Sequence, residues 1–406
     1  MKKTKRNQIK SVLYIIFIPL LIGIEAMALE VKYEIVESGI VYNGPLGGQL
    51  PCVVKTQRDE IIVNFNTGKD FALGSIPYMI RSMGFGHRWT SPSIIYNSTY
   101  PIHTNIGMTT LQDGRIILPI SIGKLNDGFM GFPKPNHPDI KFTTAAVLIS
   151  ESNGRRWSGP YFAGGGLPSS AAFGRVVEML DGTLFLPIWA FRQWGTDGAV
   201  HASQRHCGYV VSEDGGKTWG QFKKISDGGE TSILLLADRK TLMSISKTEG
   251  DLYRLSYDNG VTWRPYVTNT HIWKNVNLHL SPHGFPLIIN SGPGGIWPGT
   301  IVRGDIDGLG WRHVLEIPSI YPYENGWTYG LSAVNLDRNH FMVVFTSVDL
   351  LKDEIADSPW TTSKSYVGYS VVRETVESGL IPKSVEPLKR EQKVMNHGTS
   401  IFIGGF

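Results

Sequence analysis

One pattern, an apolar run, a turn and a second apolar run, occurs six times along the chain and limits its fold more than any other feature. A turn pair such as Asp-Gly between two apolar, β-branched runs is the signature of a β-hairpin. In the fifth copy His283 stands where most of the other copies have Asp. The copies span residues 50–65, 106–119, 176–187, 232–243, 278–289 and 331–344. Repetition of one hairpin unit predicts an all-β repeat architecture.

A second motif alternates with the hairpins, and we call its copies the tryptophan turns. Ser212–Trp219 and Ser256–Trp263 both read Ser-x-Asp-x-Gly-x-Thr-Trp, and degenerate copies end at Trp89, Trp157 and Trp311. The Asp is expected to accept hydrogen bonds from amides of its own turn, and the Gly to adopt a positive φ. The Trp is expected to pack the turn onto the neighbouring sheet. We therefore assign these residues to folding rather than to chemistry.

The tryptophan turn resembles the Asp-box, or bacterial neuraminidase repeat, of the sialidase superfamily. Because turns and hairpins alternate throughout, the resemblance covers nearly all of the chain after residue 28. It implies an all-β fold, a six-bladed β-propeller that occupies 29–406 as a single domain. The strand Val31–Tyr42 is expected to pair with a late strand near Tyr366–Val372, because closing the ring removes exposed sheet edges.

The first 28 residues have the pattern of a secretory signal peptide. Basic side chains precede an apolar run of 13 residues from Val12 to Ile24, and Ala26-Met27-Ala28 places small residues at the cleavage site. Spanning a bilayer takes about 20 apolar residues, so a membrane anchor is the less favoured alternative. We expect cleavage after Ala28, release to the periplasm or medium, and no membrane span in the mature chain.

Charge and cysteine content exclude several classes of partner. The chain carries a net charge of +4, and residues 1–28, with five cationic side chains and one carboxylate, account for all of it. The remainder is neutral, so nothing favours nucleic acid or an anionic membrane as a partner. Cys52 and Cys207 are too few for a metal cluster, and either one disulfide or two buried thiols is possible. We predict no metal and no cofactor.

Polar residues stand immediately before or at the start of the hairpins, where the innermost strand of each blade would begin beside the central channel. Any single one of them can satisfy buried backbone groups, but together they favour one ligand site. These residues are Gln49, His103, Asn105, Arg175, Glu230, Asn277 and Tyr329. Nearby rings that either stack on a sugar or pack between blades are Trp189, Trp194, Trp297 and Trp327. We therefore expect a glycan as the ligand.

The resemblance to sialidases also implies a mechanism. Those enzymes use a Tyr nucleophile paired with a Glu, an exception to the usual pair of carboxylates. Tyr329 and Glu230 match the strands that carry these two residues, and Asp70, in the loop after the first hairpin, matches the acid/base Asp. The pairing is chemically reasonable, because a phenol with a pKa of about 10 needs a nearby carboxylate to accept its proton.

The sequence departs from the family in the residues that bind the substrate carboxylate. Where sialidases have the first of three arginines, in Arg-Ile-Pro, this chain reads Gln49-Leu50-Pro51. Lys247 stands near the second position, and residues 291–299 contain no Arg for the third. Because Gln and Lys cannot reproduce the bidentate Arg fork, the sugar is predicted to differ from sialic acid or to be held differently, with Arg175 and Lys247 available for one acidic group.

Three functions therefore remain open from the sequence. The favoured one is an exo-acting, retaining glycoside hydrolase that uses Tyr329, Glu230 and Asp70. A polysaccharide lyase acting on a uronate, with His103 or Tyr329 as base, is the second. The third is a glycan-binding propeller without catalytic activity.

Overall fold

The computed structural model describes thirteen segments of the chain, and all structural statements below concern them. They are 30–67, 75–84, 86–98, 102–104, 107–124, 142–167, 169–191, 205–247, 252–270, 274–291, 298–319, 327–348 and 365–377. Their strands form six antiparallel sheets, arranged as the blades of a β-propeller. The predicted all-β, six-bladed fold is confirmed.

The strands are numbered along the chain, and within each blade they run from the channel outwards. The first, β1 (Val31–Tyr42), belongs to the last blade. Blade 1 contains β2 (Gln49–Lys55), β3 (Glu60–Asn66), β4 (Pro77–Met83) and β5 (Ser93–Ile94). Blade 2 contains β6 (Ile102–Thr104), β7 (Thr109–Thr110), β8 (Ile116–Lys124), β9 (Phe142–Ser150) and β10 (Ser158–Phe162). Blade 3 contains β11 (Ser169–Ala172), β12 (Val177–Glu178), β13 (Leu184–Phe191), β14 (Arg205–Ser212) and β15 (Lys223–Asp227).

The second half of the ring repeats the four-stranded plan. Blade 4 contains β16 (Thr231–Leu235), β17 (Leu242–Ser246), β18 (Leu252–Ser256) and β19 (Arg264–Val267). Blade 5 contains β20 (Lys274–Leu280), β21 (Pro286–Ser291), β22 (Gly299–Arg303) and β23 (Arg312–Ile317). Blade 6 contains β24 (Trp327–Asn335), β25 (His340–Val348), β26 (Ser365–Val376) and, outermost, β1.

The six predicted hairpins are the two channel-side strands of the six blades. They correspond to the pairings β2–β3, β7–β8, β12–β13, β16–β17, β20–β21 and β24–β25. The predicted ring closure is also confirmed, because β1 pairs with β26 from Val31 opposite Val376 to Tyr42 opposite Val367. The first strand thus completes the last blade, and the ring has no open seam there.

Apolar clusters fill the walls between neighbouring blades and hold the ring together. One cluster joins Val63 of blade 1 to Val344 of blade 6, and another joins Met243 of blade 4 to Leu278 of blade 5. Equivalent clusters occupy the other four walls. Since every blade buries both of its faces, its strands read as apolar on both sides rather than alternating.

The tryptophan turns of blades 1 to 5 pack each of these blades onto the one before it. In blade 4, Asp258 accepts the Thr262 amide at 2.8 Å, and Gly260 has a φ of 84°. Trp263 Nε1 donates to the Gly260 carbonyl at 2.9 Å, and its ring centre lies 6.2 Å from that of Tyr209 in blade 3. The expected roles of the Asp, Gly and Trp are confirmed. These turns join the third and fourth strands, so they lie on the face opposite to the starts of the innermost strands.

Both cysteines are buried free thiols, Cys52 in blade 1 and Cys207 in blade 3, so the disulfide alternative is wrong. Residues 1–28, the predicted signal peptide, lie outside the described residues. Within the segments given above, no helix has the length and apolar character needed to cross a bilayer.

Candidate functional site

The candidate site lies at the face where the innermost strands begin, which we call the entrance face. Neighbouring strands are antiparallel, so each second strand ends at this same face. Side chains at the end of β3 or β17 therefore belong to the entrance as much as those at the start of β2 or β16. Residues at the ends of second strands, such as Asn66 and Ser246, were not predicted, because only the starts of the innermost strands stand out in the sequence.

Bulges and breaks in the innermost strands separate the predicted residues into those at the entrance face and those deeper in the channel. The register shifts in β2 between Gln49 and Cys52, in β20 between Lys274 and Asn277, and in β24 between Tyr329 and Ser332. In blades 2 and 3 the innermost strand is interrupted altogether, between β6 and β7 and between β11 and β12. Bulges bend a strand and re-aim its side chains. Gln49, His103 and Tyr329 precede these breaks, whereas Arg175 and Asn277 stand within or beyond them.

Glu230 occupies a strained position at the start of blade 4. It directly precedes β16 and has a φ of 56°, which is unusual for a residue other than glycine. Its Oε1 accepts a hydrogen bond from the Lys247 ammonium group, so the two side chains form an ion pair at the entrance face. Its Oε2 is buried and has no hydrogen-bond partner within the described segments. Strained backbone held in place by its surroundings is a feature of functional sites.

The backbone around Glu230 is anchored on both sides. Gly228 N donates to the carbonyl of Arg205, at the start of β14, at 3.0 Å. Lys247 N donates to the Gly229 carbonyl at 3.2 Å. The segment carrying the carboxylate is therefore tied to blade 3 and to its own second strand.

Blades 1 and 2 contribute a buried polar layer at the entrance. Asn66, which ends β3, donates from Nδ2 to the Thr104 carbonyl at 2.7 Å and accepts the Thr104 amide at 2.9 Å. It also donates to the Gln49 carbonyl at 3.4 Å. Gln49 and His103 are 3% and 1% exposed. Asn66 thus links the innermost strands of the two blades beside both predicted residues.

The predicted catalytic residues do not all fall within the described segments. Tyr329 lies in β24 of blade 6 and is 2% exposed, and Glu230 lies in blade 4. One blade therefore separates them around the channel. Asp70 and Asn105, together with the side chain of Trp327, lie outside the described residues.

Arg175 lies deeper, where it bridges the channel. Its Nη2 donates to the Val53 carbonyl of blade 1 at 3.0 Å, to Ser332 Oγ of blade 6 at 3.2 Å, and to the Ala333 carbonyl. Burial lowers the pKa of Arg175 to about 10, with Cys52 acting against this shift. Arg175 was predicted to contact the ligand, and in the structure its Nη2 donates to groups of the protein itself. Asn277 behaves similarly, since its Nδ2 donates to the Leu331 carbonyl at 3.3 Å.

His279 and Asn335 lie at the same depth in the channel as Arg175, and we call these three residues the channel floor. His279 Nε2 lies 2.8 Å from Asn335 Oδ1. Burial, reinforced by the charge of Arg175, lowers the pKa of His279 to about 3. The imidazole is therefore neutral at physiological pH, and the Nε2 proton is donated to Asn335. Among the residues described, no three His, Cys, Asp or Glu side chains gather closely enough to hold a metal ion.

Solved structures with a similar fold are known, although sequence comparisons find no match. No protein-family profile and no curated protein sequence matches the chain. A protein of unknown function from Dyadobacter fermentans DSM 18053 has a TM-score of 0.67 at 15% identity, over 84% of this chain and 99% of that one. A Hadza microbial sialidase has a TM-score of 0.60 at 16% identity, over 80% of this chain and 66% of that one. Trypanosoma rangeli sialidase, in complex with the inhibitor DANA, has a TM-score of 0.57 at 13% identity, over 80% of this chain and 55% of that one.

The fold is similar to that of the sialidase propellers. NanB sialidase from Streptococcus pneumoniae adds a TM-score of 0.57 at 12% identity, over 82% of this chain and 70% of that one. The matched region spans between 55% and 70% of the length of these sialidases. At such identities the likeness is one of fold, and activity must be argued from the site.

Proposed function

We propose that the protein is an exported glycan-active propeller, an exo-acting, retaining glycoside hydrolase whose sugar is not sialic acid. The observation that carries the proposal is the geometry of Glu230. A carboxylate is held at positive φ at the channel entrance, with one oxygen bound by Lys247 and the other without a partner in the described segments. Maintaining such a conformation costs of order 1–3 kcal/mol, and strain of this kind is concentrated at active sites.

In this proposal Tyr329 is the nucleophile and Glu230 its base. Glu230 Oε2 accepts the phenolic proton while the tyrosine oxygen attacks the anomeric carbon and the glycosidic bond breaks. Asp70 protonates the departing oxygen and then accepts a proton from the water that attacks the anomeric carbon. The tyrosyl–sugar bond breaks, and Glu230 returns its proton to the Tyr329 oxygen. Lys247, bound to Oε1, orients the carboxylate so that the other oxygen is available. A neutral nucleophile also avoids repulsion from an acidic sugar.

The entrance residues support a sugar other than sialic acid. Gln49 begins β2, at the point where sialidases begin their first blade with an Arg. Gln49 is buried, and its main-chain carbonyl accepts a hydrogen bond from Asn66. A carboxamide cannot bind a carboxylate through two parallel N–H groups. His103, Asn105 and Trp327 complete the proposed set of sugar contacts.

The test is a screen of the purified protein, without residues 1–28, against aryl glycosides, neutral oligosaccharides and uronate oligosaccharides. Hydrolysis releases reducing ends without the ultraviolet absorbance of an unsaturated uronate. Appearance of that absorbance would identify a lyase and overturn the hydrolase mechanism. Tight binding without any product would identify a glycan-binding protein instead. The variant Glu230→Gln serves as the control, because an amide cannot accept the phenolic proton.

A further inference from the structure

The interface between blades 3 and 4, which we call the wall between them, contains Arg205 at its entrance end. The proposed mechanism does not use this arginine. Deeper in this wall Phe185 and Tyr209 of blade 3 pack against Ile233 of blade 4. The strands β13 and β14 continue from there to the entrance in unbroken register. Since side chains alternate along a strand, Trp189 and Arg205 face blade 4 as Phe185 and Tyr209 do.

Trp189 positions the guanidinium group of Arg205. The guanidinium carbon lies 5.7 Å from the centre of the indole ring. The same ring lies against Gly229, where a Cβ atom would stand only 3.1 Å from Trp189 Cε3. Trp189 is 8% exposed, so it supports the arginine rather than offering a surface for a sugar. Arg205 is partly exposed, and its planar fork is preoriented by the ring.

Two buried hydroxyl groups of blade 4 face the same wall. Thr231 and Ser246 are the first register pair of β16 and β17. They lie on the side of Ile233, whereas Ser232 points the other way and accepts the Leu278 amide of blade 5 at 3.1 Å. Thr231 and Ser246 are 0% and 2% exposed, and neither hydroxyl oxygen has a partner in the described segments.

Blade 3 adds a third hydroxyl of the same kind. Ser226 lies opposite Cys207 in the pairing of β15 with β14, so it shares the face of Arg205. It is 7% exposed, and its oxygen likewise has no partner among the residues described. A buried hydroxyl left without a hydrogen bond costs about 1–3 kcal/mol, and such groups ordinarily bond to water or to a ligand.

We propose that this end of the wall, formed by Trp189, Arg205, Ser226, Thr231 and Ser246, is a subsite for the oxyanion of an acidic sugar. The inference rests on the proposed function and names its substrate class. The Arg205 fork binds two oxygens of a carboxylate or sulfate group, and the hydroxyls donate to the oxygens that remain.

The subsite is coupled to the proposed reaction centre through the main chain. The Arg205 carbonyl accepts the Gly228 amide at 3.0 Å, two residues before Glu230. This hydrogen bond fixes the main chain of Arg205 next to the segment that carries the carboxylate proposed to act as base. The negative charge of Glu230 is offset there by Lys247. Acidic substituents on the sugar are therefore expected to be recognised close to the bond that is cleaved.

The test measures calorimetric binding of three probes: oligogalacturonate, its neutral methyl ester, and a sulfated galacto-oligosaccharide. The first variant is Arg205→Gln. Its matched control is Arg264→Gln, because Arg264 lies 5.9 Å from the Tyr257 ring centre at the opposite face and loses the same charge and ring contact. We expect wild type to prefer an acidic probe to the ester. Arg205→Gln should weaken acidic binding by at least about tenfold and leave ester binding unchanged, while Arg264→Gln should bind as wild type.

A second variant separates binding from folding. Thr231→Val keeps the side-chain shape and removes a hydroxyl that has no partner in the described protein, so thermal stability should be unchanged or higher while acidic binding falls. A preference for carboxylate over sulfate, or the reverse, identifies which oxyanion the subsite takes. Equal behaviour of Arg205→Gln and Arg264→Gln, or wild-type binding that ignores the methyl ester, overturns the subsite and leaves the proposed function intact. A wild type that binds and cleaves no glycan overturns both.

Discussion

The neutral state of His279 leads to a prediction about acid stability. The folded protein holds the pKa of His279 at about 3, because protonation would place a second buried cation beside Arg175. In the unfolded chain the same group has its ordinary pKa of 6.5. Because the folded-state pKa lies below the unfolded one, the stability that depends on a neutral His279 is fully present above pH 6.5. It is lost progressively as the pH falls from 6.5 towards 3.

The magnitude follows from proton linkage, at about 1.4 kcal/mol for each pH unit in this window. His279 alone should lower the free energy of unfolding by about 2 kcal/mol at pH 5 and about 3 kcal/mol at pH 4. His279→Gln removes the titrating group but retains an N–H able to donate to Asn335. The variant should therefore lose less stability on acidification than wild type, whatever its stability at pH 7.

Urea unfolding at pH 7, 6, 5 and 4, followed by tryptophan fluorescence, measures this difference. All other titrating groups are common to both proteins, so the change in their stability difference with pH isolates His279. His313→Gln, at an exposed position in β23, is the matched control and should follow the wild-type curve. Parallel curves for wild type and His279→Gln between pH 7 and 4 would show that the channel floor does not hold a neutral histidine.

Three further predictions concern the mechanism, the turns and export. Tyr329→Phe keeps the ring packing and deletes only the proposed nucleophile, so kcat on the glycoside found in the screen should fall by orders of magnitude with little change in binding. Near-normal turnover would rule out the hydrolase mechanism. Trp263→Ala should lower the free energy of unfolding in urea by about 3 kcal/mol without changing glycan affinity, whereas lost affinity at unchanged stability would place the turn in the site. N-terminal sequencing of exported protein should begin at or near Leu29, and an intact Met1 on membrane-bound material would indicate an anchor.

The sequence alone determined the number of blades, the hairpins and the closing strand. Each of these follows from a local or repeated signal. An apolar run, a turn pair and a second apolar run predict a hairpin, and six copies together with the resemblance of the tryptophan turns to the Asp-box predict six blades in a ring. The tryptophan turns were equally readable, because Asp258 and Gly260 act within a few residues of each other. Even the pairing of β1 with β26 followed from the need to close the ring.

Only the tertiary structure decided which polar residues share a level of the channel. Arg175 reads in sequence like Gln49 or Tyr329, a polar residue ahead of a hairpin. The break between β11 and β12 moves it deeper, where its guanidinium reaches backbone groups of blades 1 and 6. A bulge or interruption changes which way the following side chains point, and no periodic pattern records it. The stacking of Arg205 on Trp189 opposite Thr231 likewise depends on how two blades pack, because contacts between sheets are set by the whole ring and not by either strand.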